Sequence, residues 1–164
     1  MSVFGFWVRI TTPERVPINE AASRARMLVR PGDLLVSLTR PTRRAIAFMP
    51  EDLPLAVASN GFAVLRHPNE SKITRRFLFH ILRSRLCTAQ FDRRSSGGNY
   101  PAITEDQLLE LVIPLPQPER QNRIGALLDL QYQRAEELLA SADEEMKAVR
   151  RYIEELILGK GART

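Results

Sequence analysis

The stretch Ile113-Pro114-Leu115-Pro116-Gln117-Pro118-Glu119-Arg120-Gln121 decides how the chain is read, because it is the doorway to one long helix. After Pro118 no further proline occurs, and Gly125 is the one glycine before Gly159. Apolar residues then recur at Ile124, Leu128, Ala135, Leu138, Ala142, Met146, Val149, Ile153 and Leu156, mostly three or four apart, which is one stripe along a helix. Pro118 suits a first helical turn, where a missing N–H costs nothing, and Glu119 complements the positive end. A helix of about 40 residues is a rod of roughly 60 Å. Gly159 reads as its stop.

The rhythm inside the stripe predicts what the rod does. Ile124, Leu128, Gln131, Ala135, Leu138 and Ala142 follow 4-3-4-3-4 steps, close to a coiled-coil seam. Met146 then comes four residues on where three was due, a stutter that locally relaxes a supercoil. Gln131 and the two alanines favour close, register-specific pairing. An amphipathic helix folded back on its own domain is the plainer reading. Length favours a spacer that pairs with another helix.

The 164 residues leave room for one modest domain, taken as 1–116, ahead of a helix and short tail at 117–164. A hydrophobic share of 44% is that of a folded chain. No apolar run approaches a membrane span, and the first residues lack the pattern of a secretory signal. The single cysteine, Cys87, excludes an internal disulfide and fits a reducing cytoplasm. Charge is unevenly shared: residues 1–116 carry 16 Lys or Arg against 10 Asp or Glu, residues 117–164 carry 8 against 9. In the front segment every basic residue but Lys72 is arginine, whose rigid fork suits phosphates and guanine edges. Nucleic acid is the leading partner class.

In chain order, Val3–Ile10 reads as a strand and Pro17–Arg26 as a short helix entered through Asn19. Arg30-Pro31-Gly32-Asp33 is a turn into the strand Leu34–Leu38, and Ala45–Met49 is a further strand. Ala56–Ala58 and Phe62–Leu65 flank the turn Ser59-Asn60-Gly61. Thr74–Phe91 has helical spacing throughout. Thr104-Glu105-Asp106-Gln107 is a capping box opening a short helix, and Leu111–Ile113 is a last short strand. The fold class is therefore α+β, a small mixed or antiparallel sheet followed by a long coiled-coil-type helix.

Catalytic chemistry finds little support. His80 and Cys87 lack a third group, and two histidines with one cysteine are too few for a zinc site. Glu105 and Asp106 are explained by a helix's first turn, and Gly97-Gly98 lacks the lysine and helix start of a phosphate-cradling loop. Two basic loops suit duplex contact instead. Arg40, Thr42, Arg43 and Arg44 occupy one. Arg93, Arg94, Ser95, Ser96, Asn99 and Tyr100 lie in the other, Asp92–Ile103, which Gly97-Gly98 makes pliable. Each is a plain solvated turn unless the two share a face.

Six short motifs stand in order: Arg30-Pro31-Gly32-Asp33-Leu34-Leu35-Val36-Ser37, Arg40-Pro41, Pro50-Glu51-Asp52, Ser59-Asn60-Gly61-Phe62-Ala63-Val64-Leu65, Gly98-Asn99-Tyr100-Pro101-Ala102-Ile103, and Ile113-Pro114-Leu115-Pro116 through Gln121. Together they resemble the target recognition domain and trailing conserved helix of a type I restriction–modification specificity (S) subunit. The resemblance implies a non-catalytic subunit that binds double-stranded DNA and docks an adenine methyltransferase subunit and a restriction subunit. S-adenosylmethionine and ATP would sit on those partners, with no cofactor in this chain. A full specificity subunit resembles two such units in tandem, with a longer stretch before Pro-Gly-Asp. One N-terminally shortened unit implies a homodimer, or pairing with another specificity chain, through the long helix. A symmetric pair would read inverted identical half-sites.

Overall fold

The computed structural model describes residues 10, 14–17, 19–66 and 69–158; the strand expected over Val3–Ile10 and the stop at Gly159 lie outside the described residues, Ile10 excepted. The elements are strands β1 (Ala25–Val29), β2 (Leu34–Ser37), β3 (Ile46–Phe48), β4 (Ala56–Ser59) and β5 (Phe62–Leu65), then helices α1 (Arg75–Leu82), α2 (Arg85–Arg94), α3 (Glu105–Leu109) and α4 (Pro118–Ile157). Both sheets are antiparallel: β1 with β4, and β3-β2-β5 with β2 in the centre. The fold is α+β.

All four residues of β2 are buried. Side chains alternate across a strand, so its two faces feed different clusters. Leu34 and Val36, with Leu38 just beyond, join Ile46, Ala63, Phe79, Leu82, Cys87, Phe91, Ile103 and Leu108. Leu35 joins Val29 and Met49 on the other side. A strand covered on both faces reads as an unbroken apolar run, which is what Leu34-Leu35-Val36 is.

The Pro-Gly-Asp turn is fixed by its carboxylate. Asp33 accepts from the backbone N–H of Arg30 (2.8 Å) and from Arg66 Nε (2.8 Å), and a second Arg66 nitrogen completes a fork. Arg66 also reaches the Leu28 carbonyl, so one guanidinium ties the turn, the end of β5 and β1. Burial pushes the Asp33 carboxyl up, but the hydrogen bonds and charges of Arg66 and Arg30 outweigh it and hold it below its ordinary value. Gly32 takes a φ of 80°, the left-handed region that favours glycine.

Four expectations are corrected. The described residues among 17–26 do not form a helix: turns at 19–20 lead toward β1, whose alternate residues Met27 and Val29 turn inward while Arg26 and Leu28 face out. Thr74–Phe91 is two helices. Ser84 is extended (ψ 162°) and its hydroxyl accepts from the Cys87 N–H, so a fresh N-cap breaks the run although apolar spacing continues across it. Leu111–Ile113 is not a strand of either sheet. The Gln90 side chain accepts from the Val112 N–H (3.0 Å) and donates to the Val112 carbonyl (2.7 Å), taking the place of a neighbouring strand. Finally, α2 runs on through Arg94, so Arg93 and Arg94 belong to a helix rather than a loop. The capping box forms with both halves present, Thr104 with Gln107.

The chain divides into two compact units, one ending at Ala126 and one beginning at Leu127. The first turns of α4 belong to the former because Gln121 is wholly buried there. Its side-chain carbonyl accepts from the Thr74 N–H (2.8 Å), and its amide donates to the carbonyls of Lys72 (2.6 Å) and Pro116 (2.7 Å). Gly125 lies against Arg76: a Cβ there would fall 2.6 Å from the Arg76 Cγ and Cδ. In the second unit the seam residues Leu138, Met146, Val149, Ile153 and Leu156 are all about half exposed or more.

Candidate nucleic-acid interface

The loop after β2 is a 3-10 turn, Pro41–Arg43, with a buried proline at its base. Arg40 (φ 50°) and Arg44 (φ 58°), the residues flanking it, are both left-handed. A residue other than glycine pays about 1–2 kcal/mol for that conformation, so the turn stores strain at two arginines. The turn is closed by hydrogen bonds from Arg43 N to the Arg40 carbonyl and from Arg44 N to the Pro41 carbonyl. Arg43 and Arg44 are exposed, Thr42 and Arg40 half-buried.

The second loop is a small hairpin. Ser96 and Ala102 exchange both main-chain hydrogen bonds (3.1 and 2.8 Å), and Tyr100 N donates to the Gly97 carbonyl to close the tip. Gly97 and Gly98 both have positive φ. At Gly97 a Cβ would also stand 2.9 Å from the Tyr100 carbonyl oxygen. Ala102 pairs on its other side with Thr39. Arg40 N donates to the Pro101 carbonyl (2.7 Å), and Ile103 N donates to the Leu38 carbonyl. The backbones of the two basic loops are thus joined in one ribbon, Ser96–Ala102–Thr39.

Side chains complete the junction. The Arg40 guanidinium carbon sits 4.5 Å from the centroid of the Tyr100 ring, and one of its nitrogens donates weakly to the Asn99 carbonyl (3.5 Å). Tyr100 remains 68% exposed, so the stack is open to a ligand. Among the described residues no carboxylate pairs with Arg40, Arg43 or Arg44. Their charge is available to an external anion.

The remaining predicted residues fare differently. α2, which carries Arg93 and Arg94 in its last turn, packs against the 3-10 turn, and Arg94 donates to the Glu110 carbonyl (3.3 Å). Both arginines sit where a helix's negative end favours cations. Ser95 commits its hydroxyl to the Phe91 carbonyl (2.7 Å), and Ser96 enters the hairpin through its main chain. Asn99 and Tyr100 stand exposed at the tip. Cys87 is buried, and burial pushes its thiol up, away from a reactive thiolate. No group of three metal-ligating side chains occurs among the described residues, and no described helix is long and apolar enough to cross a membrane.

Known proteins share this fold. The pattern of the type I restriction modification DNA specificity domain matches residues 31–145, from the Pro-Gly-Asp turn well into α4. The chain belongs to the type I restriction-modification DNA specificity domain family. Over 109 residues this specificity domain is 31% identical to the type I restriction enzyme HindI specificity subunit of Haemophilus influenzae, covering 65% of the chain and 24% of that protein. The HsdS subunit from Thermoanaerobacter tengcongensis superposes with a TM-score of 0.68 at 34% identity, covering 91% of this chain and 37% of that one. A chain solved for the structural basis of complex assembly and conformational transition of the type I R-M system gives 0.70 at 33%, covering 88% and 38%. The specificity domain therefore spans about a quarter of the curated relative and just over a third of each solved chain.

Within this specificity domain three of the six sequence motifs visibly build the frame. Asp33 locks a turn, Gln121 locks the start of α4, and Pro101-Ala102-Ile103 stitches the hairpin to Leu38, Thr39 and Arg40 just beyond β2. Sequence reasoning gave no role to Arg66, Gln90 or Gln121. Arg66 and Gln90 carry no local signal, since their partners lie far along the chain. Gln121 closes the last of the six motifs, and a glutamine in a helix's first turn beside a proline-rich entry was the available hint.

Proposed function

We propose that this chain is the DNA sequence-specificity component of a type I restriction–modification system, gripping one half-site of a duplex and docking methyltransferase and restriction subunits. The observation that supports the reading is the joining of the two loops: Arg40 stacks on Tyr100 across the ribbon, Arg43 and Arg44 follow in the adjoining turn, and no carboxylate among the described residues neutralises those arginines. Arg93 would add charge from the end of α2. The hydroxyls of Thr42 and Ser96 would supplement the grip, with Ser95 and Arg94 shaping the frame beneath. Methyl transfer from S-adenosylmethionine and ATP-driven cleavage would belong to partner subunits in the cytoplasm. The seam of α4 would pair with a second copy of this chain or with another specificity chain, through Ile124, Leu128, Ala135, Leu138, Ala142, Met146, Val149, Ile153 and Leu156.

The test is duplex affinity across a salt series, measured on the full chain alone and with its methyltransferase. Affinity should fall steeply and linearly on logarithmic axes, and Arg43→Ala with Arg44→Ala should flatten the slope by about 2 while weakening binding by about tenfold or more. No salt-dependent binding in either form overturns the proposal. A second reading is favoured by the exposed seam: a protein-interaction piece that caps a partner specificity chain without touching DNA. In that case the double arginine variant leaves every measurable interaction intact.

A further inference from the structure

We infer that Arg40 is the residue of this loop that reads a base, a guanine edge in the major groove, and that Tyr100 is its positioning residue. This rests on the proposed duplex binding and divides the labour within it. Arg40 differs from its neighbours in three ways. Its guanidinium is stacked on an aromatic ring 4.5 Å away, whereas among the described residues no such stack holds Arg43 or Arg44. Its backbone is pinned across the ribbon by the bond to the Pro101 carbonyl (2.7 Å). One of its nitrogens is steered by the Asn99 carbonyl, which leaves the rest of the fork free.

Those differences match the demands of the two kinds of contact. Phosphate accepts a cation from many directions, so exposed arginines such as Arg43 and Arg44 suffice for it. Reading O6 and N7 of guanine needs two parallel N–H donors in a set plane, and each good bidentate pair discriminates strongly against a wrong base. A ring beneath the guanidinium fixes that plane before the duplex arrives and lowers the entropy lost on binding. The Tyr100 backbone is itself held by its N–H to Gly97 and by the Ser96–Ala102 pairing, which sets where its ring stands beside Arg40. The left-handed Arg40 backbone is retained because the ribbon over-determines it.

The experiment selects bound sequences from a pool of random duplexes using the full chain, then repeats the selection with variants. The unaltered chain should enrich a motif containing a fixed G·C pair. Arg40→Lys, which keeps the charge, and Tyr100→Leu should each erase preference at that pair by about tenfold or more, while the slope of affinity against salt stays unchanged. Tyr100→Phe keeps the ring and should keep the preference. Arg43→Ala should do the reverse: same motif, slope flatter by about 1. If Arg40→Lys and Tyr100→Leu leave the motif intact while the unaltered chain binds and selects, the inference falls and the proposed function stands. If the unaltered chain binds no duplex at low salt, both fall.

Discussion

The first turns of helix α4 and its stretch from Leu138 onward lie in two opposite environments. Over its first turns a polar side chain is wholly buried: Gln121 answers three backbone groups, and Gly125 lets a neighbouring side chain approach. From Leu138 onward the large apolar residues of the stripe stand about half exposed or more. The usual arrangement is reversed, with an amide inside and leucine, isoleucine and valine outside. The first stretch gains its stability within the chain, by satisfying backbone donors and acceptors. The second has apolar area that only another surface would cover, and a helix in water draws most of its stability from such packing. Lys147, whose ammonium is pushed up by its bonds to Glu144 and Asp143, marks the solvated side of that stretch.

The contrast is tested most severely at Gln121. Gln121→Ala strands the Thr74 N–H and two carbonyls in a dry site, and should cost about 3–5 kcal/mol in chemical unfolding of the front unit. A loss below about 1 kcal/mol would mean that water or a neighbour substitutes easily. Asp33→Asn, in the same unit, should cost about 2–3 kcal/mol at neutral pH, reduced from a fully buried pair because Arg66 is partly exposed. The sign follows from a carboxyl held below 3.8 in the fold: its stabilisation is present above that pH and is lost as pH falls through the folded value. Unfolding curves of the two proteins should therefore converge in acid. The smallest intramolecular effect belongs to Ile153→Glu, which should change the unfolding of the isolated chain by no more than about 0.5 kcal/mol. Its self-association, or its binding to another specificity chain, should weaken by about tenfold or more in sedimentation. A large loss of stability without any partner would show that the seam is already covered.

Local chemistry made much of this legible. Pro118 with Glu119 announced the start of α4, Thr104 with Gln107 announced α3, and the run Leu34-Leu35-Val36 announced a strand. The misreadings fall where capping, side-chain hydrogen bonds or strand pairing, rather than apolar spacing, decide the backbone. Ser84 interrupts a helix whose apolar spacing gives no warning. Gln90 replaces a strand beside Val112, and β1 exists because β4 is there to receive it. The site was legible as composition and not as geometry: Arg40 and Asn99 lie 59 residues apart, and the pairing of Thr39 with Ala102 joins their loops. Under the inference above, the same long-range ribbon would assign separate tasks to arginines that look interchangeable in the sequence.

That ribbon has a consequence for how such a protein changes over time. Ser96 and Ala102 clasp each other, and Ala102 pairs with Thr39, through main-chain atoms, so the frame is indifferent to which side chains ride on the tip. Provided Gly97 and Gly98, both at positive φ, survive, the tip residues Asn99 and Tyr100 can be exchanged like the bit of a drill while the chuck stays shut. Under the proposed function, new sequence preferences would thus arise in few substitutions, at little cost to folding.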